Sequence, residues 1–192
     1  MNSLFPIFLK GNYLKFLIVG GGNVGLEKVE ALVKNSPDAD IVIVAPIIKD
    51  EIFELAKHHS IKILKEKYHK RQLENINIVI AGTDSKEVNI QVRQDCKAKN
   101  ILINVADTPD LCDFYLGSVV VKDDLKIAIS TNGKSPTFAK RFREILEEII
   151  PENIQKTLDN LQIIRNKLKG DFQFKVNKLN EITEVMKDQN QK

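Results

Sequence analysis

An apolar run, Phe16-Leu17-Ile18-Val19, leads straight into Gly20-Gly21-Gly22-Asn23-Val24-Gly25, and apolar residues then recur at helical spacing at Val24, Leu26, Val29, Leu32 and Val33. A short apolar run bounded by glycine is a buried strand, and the spacing after it is one face of a helix. The chain must therefore reverse direction within a few residues and pack the helix back on the strand, which marks the first strand–helix unit of an α/β sheet. The glycines fit the pattern G-x-G-x-x-G in the context that pattern requires. Gly20 permits the tight turn, Gly22 lets backbone approach a pyrophosphate, and Gly25 lets helix and strand pack closely. The helix N-terminus adds unpaired N–H groups and a positive dipole end, so Asn23 and Val24 join the candidate cofactor contacts. The alternative is a glycine-rich turn that holds no ligand.

The same rhythm continues. Strands are expected at Ile41–Val44, Ile61–Leu64, Ile76–Ala81 and Ile101–Val105, with helices over Asp50–His58 and Lys86–Lys99. Each strand is apolar almost throughout, so the sheet is parallel and covered on both faces. Right-handed crossovers then make the doubly wound, Rossmann-type fold the expectation. After Val105 the pattern changes. Tyr115–Val121, a turn at Lys122-Asp123-Asp124, and Leu125–Ser130 read as a β-hairpin, Pro136–Ile150 as a helix, and the chain from Pro151 as a polar helical region ending in a frayed tail over 187–192. Three segments follow: a dinucleotide-binding domain over 1–113, a small hairpin-containing region over 114–150, and the helical region over 151–192.

Composition excludes several classes. The formal net charge of +3 over 192 residues gives no nucleic-acid footprint. Two cysteines, Cys96 and Cys112, make neither a disulfide framework nor a zinc motif. Lys10 and Lys15 interrupt the apolar start, and no apolar run reaches the roughly 18 residues of a membrane span. The expectation is a soluble cytoplasmic protein with no resident metal.

Ligands of doubly wound sheets sit beyond the carboxyl ends of the strands. The second strand ends in Val44-Ala45-Pro46, with neither the acidic residue that binds a ribose 2′-hydroxyl nor an arginine for a 2′-phosphate. The choice between NAD and NADP stays open from these residues. Thr83 and Asp84 follow the fourth strand, and Thr83 is a candidate hydrogen-bond partner for the cofactor. Asn104 and Asp107 follow the fifth, and Asn104 is a candidate substrate contact. Asp107 is a candidate general base, able to take a proton while hydride leaves for a nicotinamide. It is equally a turn former before Thr108-Pro109.

A second cluster lies at Ser130-Thr131-Asn132-Gly133-Lys134-Ser135-Pro136. Ser135 suits an N-cap and Pro136 the first helical position. Hydroxyls, N–H groups and the cations Lys140, Arg141 and Arg143 converge on one helix end, a candidate anion site for a substrate rich in carboxylates or phosphates. Ordinary capping beside a solvated basic face explains the same residues. His58, His59 and His69 read as surface residues, the two cysteines as inert thiols, and Leu158, Leu161, Ile164 and Leu168 as a packing face.

Taken together, the segments Leu17–Gly25 with Lys28, Val44–Pro46, Ala81–Asp84 with Asn89, Asn104–Asp107, Pro109–Phe114 and Ile127–Pro136 resemble the precorrin-2 dehydrogenase family, including the Rossmann portion of sirohaem synthases. They run in the family's order over roughly residues 4–150, and the Asn-Val-x-Asp and Ile-Ser-Thr-x-Gly-x-Ser-Pro segments carry most of the specificity. The resemblance implies oxidation of precorrin-2 to sirohydrochlorin with NAD+ as hydride acceptor. It places the family's catalytic aspartate on Asp107 and the substrate carboxylates on the Ser130–Ser135 loop and nearby cations. It also implies a homodimer formed with help from the hairpin after Phe114. Some relatives insert Fe2+ into the product, with the same aspartate helping to remove pyrrole protons. This chain departs from the family at Gly25, where alanine is frequent, at Glu27 (arginine), near Gly117 (proline), and at Asn132 (a second glycine). The resemblance covers none of the large methyltransferase portion of the trifunctional enzymes, so the expectation is that methylation happens elsewhere.

Two other classes of function compete. A nucleotide-sensing module like the Rossmann domains that gate potassium uptake also carries a glycine loop and a Thr-Asp after the fourth strand. It would not need Asp107 followed by the Ser-Pro helix start. A protein that only binds and hands on tetrapyrroles or metal is the third reading.

Overall fold

A computed structural model describes residues 2–184. Five parallel strands, β1 (Lys15–Val19), β2 (Asp40–Val44), β3 (Ile61–Leu64), β4 (Ile78–Ala81) and β5 (Leu102–Val105), stand in the order β3-β2-β1-β4-β5. Strand order reverses between β1 and β4, so a crevice opens there at the carboxyl ends. The helices α1 (Asn23–Asn35), α2 (Asp50–Ala56) and α3 (Lys86–Ala98) link the strands. The expected α/β fold is the one observed.

Alternate residues of each strand go to opposite faces. Leu17, Val19, Val42, Val44, Val79, Ile103 and Val105 pack with Val92 and Cys96 of α3. Phe16, Ile18, Ile41, Ile43, Ile78 and Ile80 pack with Val29 and Val33 of α1 and Ile52 of α2. Two cores explain the uninterrupted apolar runs, and each fully buried Val, Leu or Ile contributes about 1.5–3 kcal/mol.

Local chemistry sets the element ends. Ser85 caps α3 by accepting from the Val88 N–H at 3.2 Å. At the other end Asn100 takes φ +55°. The Ile101 N–H donates to Cys96 O at 3.0 Å and the Asn100 N–H to Lys97 O at 3.3 Å, which closes the helix and aims the chain into β5. The fourth strand begins two residues later than Ile76, because Asn75 turns at φ +59° and the Ile76 N–H bonds back to Leu73 O.

The hairpin is shorter than its apolar pattern, with β6 (Ser118–Lys122) and β7 (Leu125–Ile129) joined through Asp123 at φ +52°. Tyr115–Gly117 stays outside because the preceding residues are tied to β5. The Asp113 N–H donates to Ile103 O at 2.8 Å, and Asn104 Nδ2 to Phe114 O at 2.9 Å. Helices α4 (Pro136–Ile149), α5 (Ile154–Lys167) and α6 (Phe172–Thr183) follow.

The chain divides into two compact units, Met1–Ser118 with Ile129–Ala139, and Val119–Ala128 with Lys140–Lys192. Within the second, the hairpin tip is tied to the start of α5. Lys122 pairs with Glu152, and Gln155 exchanges hydrogen bonds with Asp124. The Leu158, Leu161, Ile164, Leu168 stripe is half-buried, as a packing face should be. The tail over 187–192 lies outside the described residues. Among those described, no helix is long and apolar enough to cross a membrane.

Candidate functional site

The glycine loop separates two demands, one made by the fold and one left open. Gly20 has φ +123°, and a Cβ on it would lie 2.4 Å from Gly82 O. A Cβ on Gly25 would lie 2.1 Å from Gly20 O, and one on Gly82 2.6 Å from Val24 Cγ1. These three glycines let α1, the β1 turn and the β4 end touch backbone to backbone, with Val24 packed over Gly82. Gly22 differs: a Cβ there would meet nothing within 4 Å. Nothing in the protein itself requires glycine at that position, so the space beside it is free for something to approach. Gly22 is also the N-cap of α1 and supplies no side-chain cap, which leaves first-turn N–H groups open to an incoming anion. A pyrophosphate fits this cradle.

The loop after β2 forms one wall. The Gly20 N–H donates to Val44 O at 3.0 Å and the Lys49 N–H to Gly21 O at 3.0 Å. Ala45 is buried, whereas Pro46 and Ile47 are exposed. Lys49 Nζ donates to Asn23 Oδ1 at 3.0 Å and lies 3.1 Å from Glu51 Oε1. The sequence reading missed Lys49, because an ammonium five residues past a strand end has no motif. Backbone hydrogen bonding at its own N–H, then the Lys49 contact, hold the Glu51 carboxyl below the usual range.

After β4, Thr83 is less free than expected. Its hydroxyl lies 2.8 Å from Asn89 Oδ1 and 3.0 Å from Ser85 O, and Asn89 Nδ2 donates back to Thr83 O at 3.0 Å. One proton serves one of these acceptors at a time, so the oxygen remains able to accept a ligand hydrogen bond. Buried Asn89 is the brace that shapes this loop. Asp84 is exposed.

After β5, the Ala106 N–H donates to Ala81 O at 2.8 Å, aligning the two strand ends. Asp107 follows, exposed and at φ +55°. Aspartate tolerates this left-handed conformation better than most residues, so it serves the turn as well as carrying a carboxylate. The loop behind it is tightly held. The Cys112 thiol accepts from the Val105 N–H at 3.2 Å and donates toward Val105 O at 3.2 Å. Asn104 is buried, and its amide is spent on Phe114 O and Cys112 rather than aimed into open space. Asp113 accepts from Arg93 Nη1 at 2.5 Å and from the Ile103 N–H at 3.1 Å. Burial pushes the Asp113 carboxyl up, but the Arg93 bond and the Ile103 N–H outweigh it and hold it below the usual range. Burial also raises both thiols, Cys96 to about 12, which agrees with inert cysteines.

The Ser130–Ser135 loop is internally bonded. Ser130 Oγ accepts from the Asn132 N–H at 3.2 Å and Thr131 Oγ1 from the Ser135 N–H at 3.0 Å. Ser135 Oγ caps α4 by accepting from the Phe138 N–H at 3.2 Å. Asn132 and Gly133 take φ +55° and +75°, a left-handed conformation that asparagine and glycine tolerate better than other residues. Lys134 is exposed. The expected cluster of cations is largely neutralised within α4 itself. Arg141 pairs with Glu144 at 2.7 Å, and Arg143 with Glu147 at 2.6 Å. Among the described residues no group of three or more His, Cys, Asp or Glu side chains converges as a metal site.

Residues 7–118 match the family described as "Putative NAD(P)-binding". The chain belongs to that family. Residues 122–149 of this NAD(P)-binding chain match a second one, described as "Sirohaem biosynthesis protein central". It is 40% identical over 170 residues to a siroheme synthase of Psychrobacter sp. (strain PRwf-1), covering 88% of this chain and 34% of that protein. It is 38% identical over 176 residues to a siroheme synthase of Psychrobacter arcticus, covering 92% and 31%. The NAD(P)-binding chain thus spans about a third of the length of these curated relatives. A solved structure described as SirC, precorrin-2 dehydrogenase, shares the fold at a TM-score of 0.75 and 24% identity, covering 93% of this chain and 89% of that one.

Two tests follow from this geometry. Asp at an N-cap stabilises a helix, so Gly22→Asp is expected to melt no lower than wild type yet lose dinucleotide binding through bulk and like charge. Gly20→Ala is expected to lose about 1–3 kcal/mol of stability. Thermal melts and NADH titration distinguish the two, and unchanged affinity in Gly22→Asp removes the site from this loop. The second test concerns Asp113. Its carboxyl is lowered by folding, so the stability it contributes is present above the unfolded value of about 3.9 and lost as pH falls through the folded one. Urea melts at several pH values should show Asp113→Asn less stable at neutral pH, with a shallower loss in acid. Parallel pH profiles would discard the Arg93–Asp113 tie.

Proposed function

We propose that the chain oxidises precorrin-2 to sirohydrochlorin using a nicotinamide dinucleotide, NAD+ in the first instance, as one step of sirohaem synthesis in the cytoplasm. The observation that carries this reading is the juxtaposition at the sheet switch point. A glycine with open space beside it begins α1, and a braced loop presents an exposed carboxylate at the end of β5. The siroheme synthase relatives and the central-domain match support the tetrapyrrole as substrate.

The chemistry divides between two ends of one crevice. The nicotinamide supplies the hydride acceptor. Gly22 and the first turn of α1 would hold the pyrophosphate, Pro46 and Ile47 would offer apolar surface to the adenosine, and Thr83 would accept a hydrogen bond from the cofactor. Asp107 takes the proton that must leave as hydride is lost, so that the two hydrogens removed from the substrate are accounted for. The Ser130–Ser135 loop retains hydroxyl protons and Lys134 to meet substrate carboxylates. Asn104 acts indirectly, by fixing the loop that carries Asp107. Where Fe2+ is inserted afterwards, the macrocycle's nitrogens would ligate it and two pyrrole protons would leave, with Asp107 helping to relay them one at a time to solvent.

We place the working unit as a homodimer, with 114–150 as the region that dimerises and meets substrate. Ile145 and Ile149, one turn apart on α4, are exposed, apolar surface of the kind that a second copy covers. The sensing module is the less favoured reading, since it has no use for Asp107 on a braced loop.

Anaerobic turnover of precorrin-2 with NAD+ decides the matter, followed by Fe2+ addition to the product. Asp107→Asn keeps the turn and removes the base, and is expected to bind NADH normally while turnover falls by about 10²–10⁴-fold. Wild-type turnover in this variant would leave Asp107 as a turn former only. No oxidation by a folded wild type that binds dinucleotide would favour the sensing module.

A further inference from the structure

We infer that Lys49 is a cofactor-contacting residue of the dinucleotide site, supplying a positive charge to a phosphate on the adenosine half of the ligand. The inference rests on the dinucleotide reading above and goes beyond it, because no motif assigns this residue. The loop after β2 is where the adenosine half lies in a doubly wound sheet, and its usual carboxylate is replaced by Val44-Ala45-Pro46. The Lys49 backbone is fixed to the glycine loop through Gly21 O, so the residue cannot drift from the site. Its ammonium reaches the first helical residue, bonding Asn23 Oδ1 at 3.0 Å, on the helix end whose dipole already favours anions. Glu51 lies 3.1 Å away on the first turn of α2, and the Lys49 side chain is only 36% exposed. The pair therefore holds the ammonium beside α1 in the absence of ligand, and a phosphate would compete with Glu51 for it.

Two phosphates present the same chemistry there, the pyrophosphate common to both cofactors and the 2′-phosphate of NADP(H). The experiment separates them. NADH and NADPH are titrated into wild type, Lys49→Met, Lys49→Arg and Glu51→Gln at two salt concentrations, with thermal melts as control. Methionine keeps the apolar stem, and any residue but proline keeps the N–H bond to Gly21. Lys49→Met is expected to weaken binding about tenfold and to flatten its salt dependence, with Lys49→Arg restoring most of the affinity. Glu51→Gln, which releases the ammonium, should tighten binding. Equal weakening of NADH and NADPH assigns the contact to the pyrophosphate, and weakening of NADPH alone assigns it to the 2′-phosphate. Unchanged affinities in Lys49→Met overturn the inference while leaving the glycine-loop site standing. A folded wild type that binds neither dinucleotide would bring down the site itself.

Discussion

Backbone meets backbone where the β1 turn, the start of α1 and the end of β4 come together, and that contact is possible only because Gly20, Gly25 and Gly82 carry no Cβ. The rest of the architecture hangs on it. It sets the angle at which α1 leaves the sheet, it puts the helix N-terminus over the switch point between β1 and β4, and it brings the β4 loop against Val24. Close packing costs conformational entropy at each glycine. The two apolar cores on either face of the sheet offset that cost. Gly22 stands apart from its neighbours, because the fold asks nothing of it. It lies between Gly20 and Gly25, which the packing does need, and its open side is where the proposed pyrophosphate would approach.

Around the other end of the crevice the logic is reversed, with side chains rather than their absence doing the positioning. Asp107 sits in a left-handed turn at the tip of a loop whose base is tied by Asn104, Cys112 and the Arg93–Asp113 pair. Exposed carboxylates on loose loops do not hold the geometry that proton transfer needs. Here the carboxylate is exposed and the loop is not loose. The same division applies in the Ser130–Ser135 segment, whose hydroxyls shape their own loop by accepting backbone N–H bonds.

The fold was legible because its signals are periodic. Five apolar runs, the glycine loop and the Ser-Pro helix start determine the strand–helix alternation, and the observed elements fall within a few residues of the expected ones. Errors came where a long-range bond overrides local pattern, as at Tyr115–Gly117, held outside the hairpin by bonds from β5 to the residues before it. The candidate site was legible in the placement of its glycines and of Asp107 at the strand ends. It was less so for residues whose role depends on a partner distant in sequence. Asn104 looked like a ligand contact and is a brace, Asn89 and Arg93 carried no signal of their bracing, and Arg141 looked free but is paired with Glu144 one turn away. Lys49 was invisible for the same reason, since Asn23 and Gly21 lie more than twenty residues earlier.

The proposed site lays a nicotinamide dinucleotide across the carboxyl ends of β1, β4 and β5, between the glycine loop and Asp107. Titrating NAD+ into uniformly labelled protein while following backbone amide resonances tests it directly. The expected result is that the amides of Gly22 to Gly25 move most, accompanied by Thr83 and by residues 106–108. Strong shifts confined to other surfaces, with the glycine-loop amides unmoved, would contradict it.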